Sequence, residues 1–95
     1  MVIGVCTIEL HIPGCNSLKE KRGIIKSLLA RVQREFNVSV AEIDLHDVWQ
    51  SSAIAVVCVT TANAHAERTM DSVVRWIEHH RPDVEIVAEQ VELIK

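Results

Sequence analysis

The stretch Ala53-Ile54-Ala55-Val56-Val57-Cys58-Val59 decides the fold, because it is the longest uninterrupted apolar run in the chain. Alternate residues of a strand point to opposite faces, and here both alternating sets are apolar. This pattern predicts an interior strand that is covered on both faces, and we expect the strand to extend from Val48 to Thr60.

The residues on either side of this strand predict its neighbours. Val38 to Asp44 has the pattern of a preceding strand, and a short polar turn around His46 and Asp47 would join the two as a hairpin. After the interior strand, Asn63 is expected to cap a helix whose apolar residues repeat at helical spacing and which closes at Arg81-Pro82.

The two ends of the chain complete the pattern. Val2 to Ile12 alternates as a first strand, and Ser17-Leu18-Lys19-Glu20 has the Ser-x-x-Glu spacing that satisfies free amides at a helix start. The helix that follows should run to about Phe36. Asp83 to Leu93 predicts a last strand whose three glutamates are typical of an exposed sheet edge.

The predicted order is therefore β-α-β-β-α-β, the pattern of an α+β ferredoxin-like sandwich with two helices on one face of a four-stranded antiparallel sheet. In that arrangement the first and third strands are central, which agrees with their apolar character. The chain has 95 residues, a length typical of one domain, so we expect residues 1–95 to form a single ferredoxin-like domain.

The composition of the chain indicates where the protein is located in the cell. No apolar run approaches the roughly 18 residues that a membrane span requires, and the start Met1-Val2-Ile3-Gly4 lacks the features of a signal peptide. We therefore expect a cytoplasmic protein without membrane partners.

The three cysteines are far apart and show no C-x-x-C spacing, which predicts free thiols. Cys15, which precedes a helix start, is expected to be the most reactive of them.

The first helix concentrates positive charge. It contains six of the ten basic residues and two of the thirteen acidic residues, a net charge of +4, which leaves −7 for the rest of the chain. On a helical wheel, four of its cations fall within a sector of roughly 120°. Such a row can bind RNA phosphates or an acidic protein surface, although an ordinary solvated helix face is the alternative. The residues of this predicted binding set are Lys19, Lys21, Arg22, Lys26 and Arg34.

No exposed aromatic pair is predicted beside these cations, so any RNA binding should rely on shape and backbone rather than on base stacking. The formal net charge of −3 gives no reason to expect DNA sequence recognition.

The sheet face opposite the helices is unexpectedly apolar. The residues that should point to this face include Ile3, Val5, Ala55 and Val57. Exposed apolar patches usually mark a partner surface, so we expect a homo-oligomer that covers this face. The alternative is a bulge that changes the alternation, or small apolar residues scattered without consequence.

The turn before the interior strand contains a candidate ligand corner, formed by His46, Asp47, Trp49 and Gln50. The alternative is that Asp47 organises the turn and Trp49 fills space at the sheet edge.

No spacing requires a metal site, and the chain has no glycine-rich phosphate loop. We predict no cofactor, no metal and no catalytic residues, and therefore no enzyme.

Four segments resemble a known family. They are Glu9-Leu10-His11-Ile12-Pro13, Ser17-Leu18-Lys19-Glu20-Lys21-Arg22, Phe36-Asn37-Val38-Ser39-Val40-Ala41-Glu42 and Asp47-Val48-Trp49-Gln50. Together they resemble the YlxP-like family of uncharacterised bacterial proteins, and the match covers nearly the whole chain. The resemblance implies a ferredoxin-like fold, no accepted activity, and genes often found beside those of translation initiation factor 2 and ribosome-binding factor A.

The leading hypothesis is a non-enzymatic accessory protein of ribosome maturation or translation, with ribosomal RNA or a ribosomal protein as partner. The alternative hypothesis is a homo-oligomeric small-molecule-binding or regulatory module that uses the sheet face and the corner at Asp47 and Trp49.

Overall fold

A computed structural model describes all residues 1–95 and shows six elements in the predicted order. The elements are β1 (Val2–His11), α1 (Leu18–Glu35), β2 (Ser39–Asp44), β3 (Ser51–Thr60), α2 (Asn63–His80) and β4 (Glu85–Ile94). Neither helix is both long and apolar enough to cross a membrane.

The four strands form one antiparallel sheet in the order β2-β3-β1-β4. The two most apolar strands, β1 and β3, lie in the centre, as the sequence predicts. The α+β ferredoxin-like fold is therefore confirmed. Helix α1 packs over the β2 side of the sheet and α2 over β1, β3 and β4, so the edge strands β2 and β4 lie on opposite sides of the molecule.

The core lies between the helices and the inward-facing residues of the two central strands. On β1 these include Cys6, Ile8 and Leu10, and on β3 Ile54 and Val56, all of them fully buried. Burying a side chain of this size stabilises a fold by about 1.5–3 kcal/mol. The strict alternation of burial along β1 and β3 fixes which side chains face outward.

Helix α1 begins as predicted, whereas α2 begins one residue early. Ser17 Oγ accepts a hydrogen bond from the Glu20 amide at 3.0 Å, and Glu20 Oε2 accepts one from the Asn16 amide at 3.4 Å. In α2 the N-cap is Ala62, which has no side chain to cap the helix, and Asn63 is already helical. The prediction that Asn63 caps α2 is wrong.

The interior strand is shorter than predicted, because Val48 to Gln50 belong to the turn and β3 begins at Ser51. The turn is longer because Leu45 adopts a positive φ of 61°, and the Val48 amide then donates back to the Leu45 carbonyl at 3.1 Å. Left-handed backbone at a non-glycine residue is uncommon and usually needs support from its surroundings.

Helix α2 approaches the sheet closely where β1 has a glycine. A Cβ at Gly4 would lie 3.1 Å from the Sγ of Cys58 and 3.2 Å from the Cβ of Ala66. Both distances are shorter than ordinary van der Waals contact, so the absence of a side chain at Gly4 permits this close packing.

The residues predicted to form an oligomer face do lie on the side of the sheet turned away from the helices. Val5 pairs with Val57 across the two central strands, Ile3 lies next to Val5 on the same face, and Ala55 follows on β3. All four are half-buried by their neighbours within the sheet. At the same end of the sheet, Val59 is 68% exposed. The apolar patch therefore occupies one end of the open face.

Candidate nucleic-acid interface

Four cations of α1 are exposed to solvent and lie on the side of the helix that faces away from the sheet. None of them has a carboxylate within ion-pair distance. This surface, called the cationic face below, contains Lys19, Arg22, Lys26 and Arg34. Helical rise places its two ends about 22 Å apart. The sequence predicted this exposed sector correctly, because helical periodicity alone separates these residues from the apolar stripe of α1.

Lys21, the fifth member of the predicted binding set, does not belong to the cationic face. Its side chain is 1% exposed and points towards the sheet. The physical reason lies in the helical period, since Lys21 shares the buried stripe with Ile25, Leu28 and Val32. The prediction that places Lys21 among the RNA-binding residues is therefore wrong.

Lys21 instead fastens α1 to the turn between β2 and β3. Its ammonium group lies 3.1 Å from Glu42 Oε2, and it donates hydrogen bonds to the carbonyls of Leu45 and, at 3.4 Å, His46. Glu42 Oε2 also accepts a hydrogen bond from Ser52 Oγ at 2.6 Å. A buried ammonium needs such partners, because desolvation without them is costly. Lys21 thereby supports the left-handed residue Leu45.

The four residues of the predicted ligand corner lie in one exposed turn, and two of their side chains form hydrogen bonds with backbone carbonyls. Gln50 Nε2 donates to the Cys15 carbonyl at 3.2 Å, and His46 Nε2 lies 3.1 Å from the Glu42 carbonyl. Trp49 is 51% exposed, so it does not fill the edge of the sandwich. The residue that organises the turn is not Asp47 but Asp44, whose carboxylate accepts the Leu45 amide at 2.8 Å.

A second aromatic group packs between the two helices. Trp76 meets Phe36 edge to face at 6.5 Å, stacks on His80 at 4.9 Å, and lies 5.4 Å below the guanidinium of Arg31. Arg31 is therefore engaged in a cation–π contact, unlike the residues of the cationic face.

No three His, Cys, Asp or Glu side chains lie close enough together to bind a metal ion.

All three thiols are buried, including Cys15, which the sequence predicts to be the most reactive. Cys15 is 1% exposed, and its thiol donates to the Ser17 carbonyl at 3.4 Å, so reagents cannot reach it from the helix start. Burial, with a smaller contribution from the negative charge of Glu89, raises the pKa of Cys6 to about 11.

We expect native protein at about pH 8 to react slowly with a disulfide reagent at all three cysteines, since reaction requires an accessible thiolate. Unfolding in guanidinium should release three equivalents rapidly. Absorbance after adding Ellman's reagent measures both rates, and a fast phase in the native protein would contradict the burial of these thiols.

These observations define an α+β ferredoxin-like sandwich with a cationic first helix. Residues 3–91 match the family described as "Protein of unknown function (DUF503)", and the chain belongs to that family. The Uncharacterized protein YlxP of Bacillus subtilis (strain 168) is 36% identical over 84 residues, which cover 88% of this chain and 90% of that protein. The YlxP-like resemblance of the sequence is thereby confirmed.

Among solved structures, the de novo designed protein Foldit4 matches this chain with a TM-score of 0.53 at 18% sequence identity. The match covers 100% of this chain and 98% of the designed one. At this level of identity the likeness concerns the fold alone.

Proposed function

We propose that this protein is a non-enzymatic, cytoplasmic accessory factor of ribosome maturation or translation that binds ribosomal RNA through the cationic face of α1. The observation that carries the proposal is the absence of carboxylate partners for all four residues of the cationic face. Cations that are not already neutralised can replace counterions along a phosphate backbone, and the released counterions drive binding.

The distribution of charge supports a single orientation on RNA. Helix α1 packs over the β2 side of the sheet, while β4, which contains Glu85, Glu89 and Glu92, lies at the opposite edge. A molecule polarised in this way is attracted to phosphates on one side and repelled on the other. The gene neighbourhood that the YlxP-like resemblance implies supports a ribosomal RNA as the ligand.

The proposal is tested by sedimenting purified protein with isolated ribosomal subunits at low and at high salt, before and after nuclease treatment. Binding to RNA predicts co-sedimentation at low salt that is lost at high salt and after nuclease. Absence of co-sedimentation at low salt would refute the proposal, and binding that survives nuclease would indicate a protein partner instead.

We propose further that a second copy of the chain covers the open sheet face. Four strands about 4.8 Å apart, three of ten residues and one of six, offer roughly 600 Å² of flat surface, which compares with about 800 Å² per partner in a standard interface. The patch around Val5 and Val57 would form the apolar part of this contact.

Replacing Val5 with glutamate should convert a dimer into a monomer, because the new carboxylate would be buried without a partner in the interface. Sedimentation velocity at micromolar concentration measures the change. Val48→Glu, in the exposed turn, serves as the control and should leave the dimer intact. A wild-type protein that sediments as a monomer would contradict the dimer.

A further inference from the structure

A shallow groove of about 580 Å³ lies between the first half of α1 and the connection from α2 to β4. Lys19 of the cationic face lines it, and so do Gly23, Ser27, Arg81 and Asp83. The groove is therefore continuous with the surface that we propose to bind RNA.

Gly23 is one of the residues that line this groove, and the fold gives no reason for a glycine there. It lies inside α1, its φ is not positive, and a Cβ built on it would meet no atom within 4 Å. Glycine inside a helix is less stable than alanine, because it loses more backbone freedom on folding. An exposed glycine that nothing in the molecule requires suits the close approach of a ligand to the helix backbone.

The wall opposite α1 is held rigidly. The Arg81 side chain is 10% exposed, donates to both carboxylate oxygens of Asp83 at 3.0 and 2.8 Å, and reaches across to Ser27 Oγ and the Ile24 carbonyl of α1. Arg81 thus fixes the distance between α1 and the connection to β4. Its hydrogen bond to Asp83 also holds the pKa of that carboxyl below its usual value.

The groups in the groove distinguish a hydroxyl from a phosphate. Glu20 places an exposed carboxylate at its border without a cationic partner, whereas both oxygens of the Asp83 carboxylate already accept hydrogen bonds from Arg81. Carboxylates repel a phosphate but accept hydrogen bonds from a hydroxyl, whereas Lys19 at the rim attracts phosphate. The combination suits a sugar whose neighbouring phosphates lie outside on the cationic face.

We infer that the groove over Gly23 receives a ribose of the bound RNA, with its 2′-hydroxyl donating to a groove carboxylate and its phosphate held by Lys19. This inference rests on the proposed function, because it assumes that the cationic face binds RNA. The 2′-hydroxyl is the group by which a protein distinguishes RNA from DNA. The protein should therefore bind RNA at least about 10-fold more tightly than DNA of the same sequence.

The test replaces Gly23 with alanine and measures thermal stability and nucleic-acid affinity together. The methyl group should raise the unfolding midpoint by roughly 4 °C, since alanine is the better helix former and the site has free space. The same methyl should weaken binding of a short labelled single-stranded RNA about 10-fold, because it keeps the ribose from approaching the α1 backbone at Gly23. It should also remove the preference for RNA over DNA.

Ala64→Ser, which adds one atom to the exposed surface of α2 outside the groove, is the control and should leave RNA affinity unchanged. If wild-type protein binds RNA and Gly23→Ala binds it equally well, the inference is overturned while the proposed function stands. Equal affinity of the wild type for RNA and DNA also overturns it. Failure of the wild type to bind RNA at low salt would instead overturn the proposed function.

Discussion

Replacing Lys21 with alanine is expected to lower the free energy of unfolding by about 3–5 kcal/mol, the range seen when one partner of a buried ion pair is removed. The substitution leaves the Glu42 carboxylate without its cation, and it deprives the carbonyls of Leu45 and His46 of their donor. Domains of this size are stable by only about 5–15 kcal/mol, so the loss is a large fraction of the total. Urea denaturation followed by circular dichroism measures it.

Lys26→Ala is the matched control, because Lys26 is a lysine of the same helix whose side chain is exposed and unpaired. Its replacement should change stability by no more than about 0.5 kcal/mol. Lys21→Met keeps the apolar stem, and when combined with Glu42→Gln it removes both charges. The double variant should therefore be more stable than Lys21→Met alone. Equal stability of Lys21→Ala and Lys26→Ala would show that the buried pair contributes nothing.

The two lysines of the run Lys19-Glu20-Lys21-Arg22 therefore differ in role: Lys19 is exposed on the cationic face, and Lys21 forms a buried ion pair. Successive residues of a helix are separated by 100°, so Lys19 and Arg22 point to solvent while Lys21 points into the fold. Side-chain type alone suggests a continuous basic patch. The spacing of Lys21 to Ile25, Leu28 and Val32 was the signal in the sequence that could have shown its burial.

Local periodicity explains how much of the fold was predictable. The alternation of β1 and β3 and the helical repeats of α1 and α2 are local patterns. They were enough to predict the order of the elements, the two central strands of the sheet and the residues on the face that the helices leave open. The start of β3 did not follow, because the left-handed Leu45 is supported by Lys21, which lies 24 residues earlier in the chain. Contacts between distant parts of the chain are not visible in a local pattern.

The same distinction applies to the candidate site. The exposed sector of α1 was predictable, since a wheel needs only the helix itself. The groove over Gly23 was not, because its second wall comes from Arg81, which the fold brings to α1 from the far end of α2. The exposure of Trp49 depends likewise on where the turn ends and the strand begins.

Reversing three charges of the cationic face should abolish RNA binding. We expect the variant Arg22→Glu, Lys26→Glu and Arg34→Glu to bind a short labelled RNA at least about 100-fold more weakly at low salt, because three attractions to phosphates become repulsions. The fold should be retained, since all three side chains are exposed and unpaired. Fluorescence anisotropy over a salt series measures both the affinity and its salt dependence.

The chain offers a matched control for this experiment. Arg68→Glu, Arg75→Glu and Lys95→Glu reverse three exposed charges that lie outside α1, one of them paired with Asp71, and give the same net charge as the first variant. This control should retain most of the affinity, and its logarithmic salt slope should stay close to that of the wild type. In the α1 variant the slope should fall by about 2, since each phosphate that is no longer neutralised accounts for roughly 0.7. If both variants bind RNA equally weakly, net charge alone governs binding and α1 is not the interface.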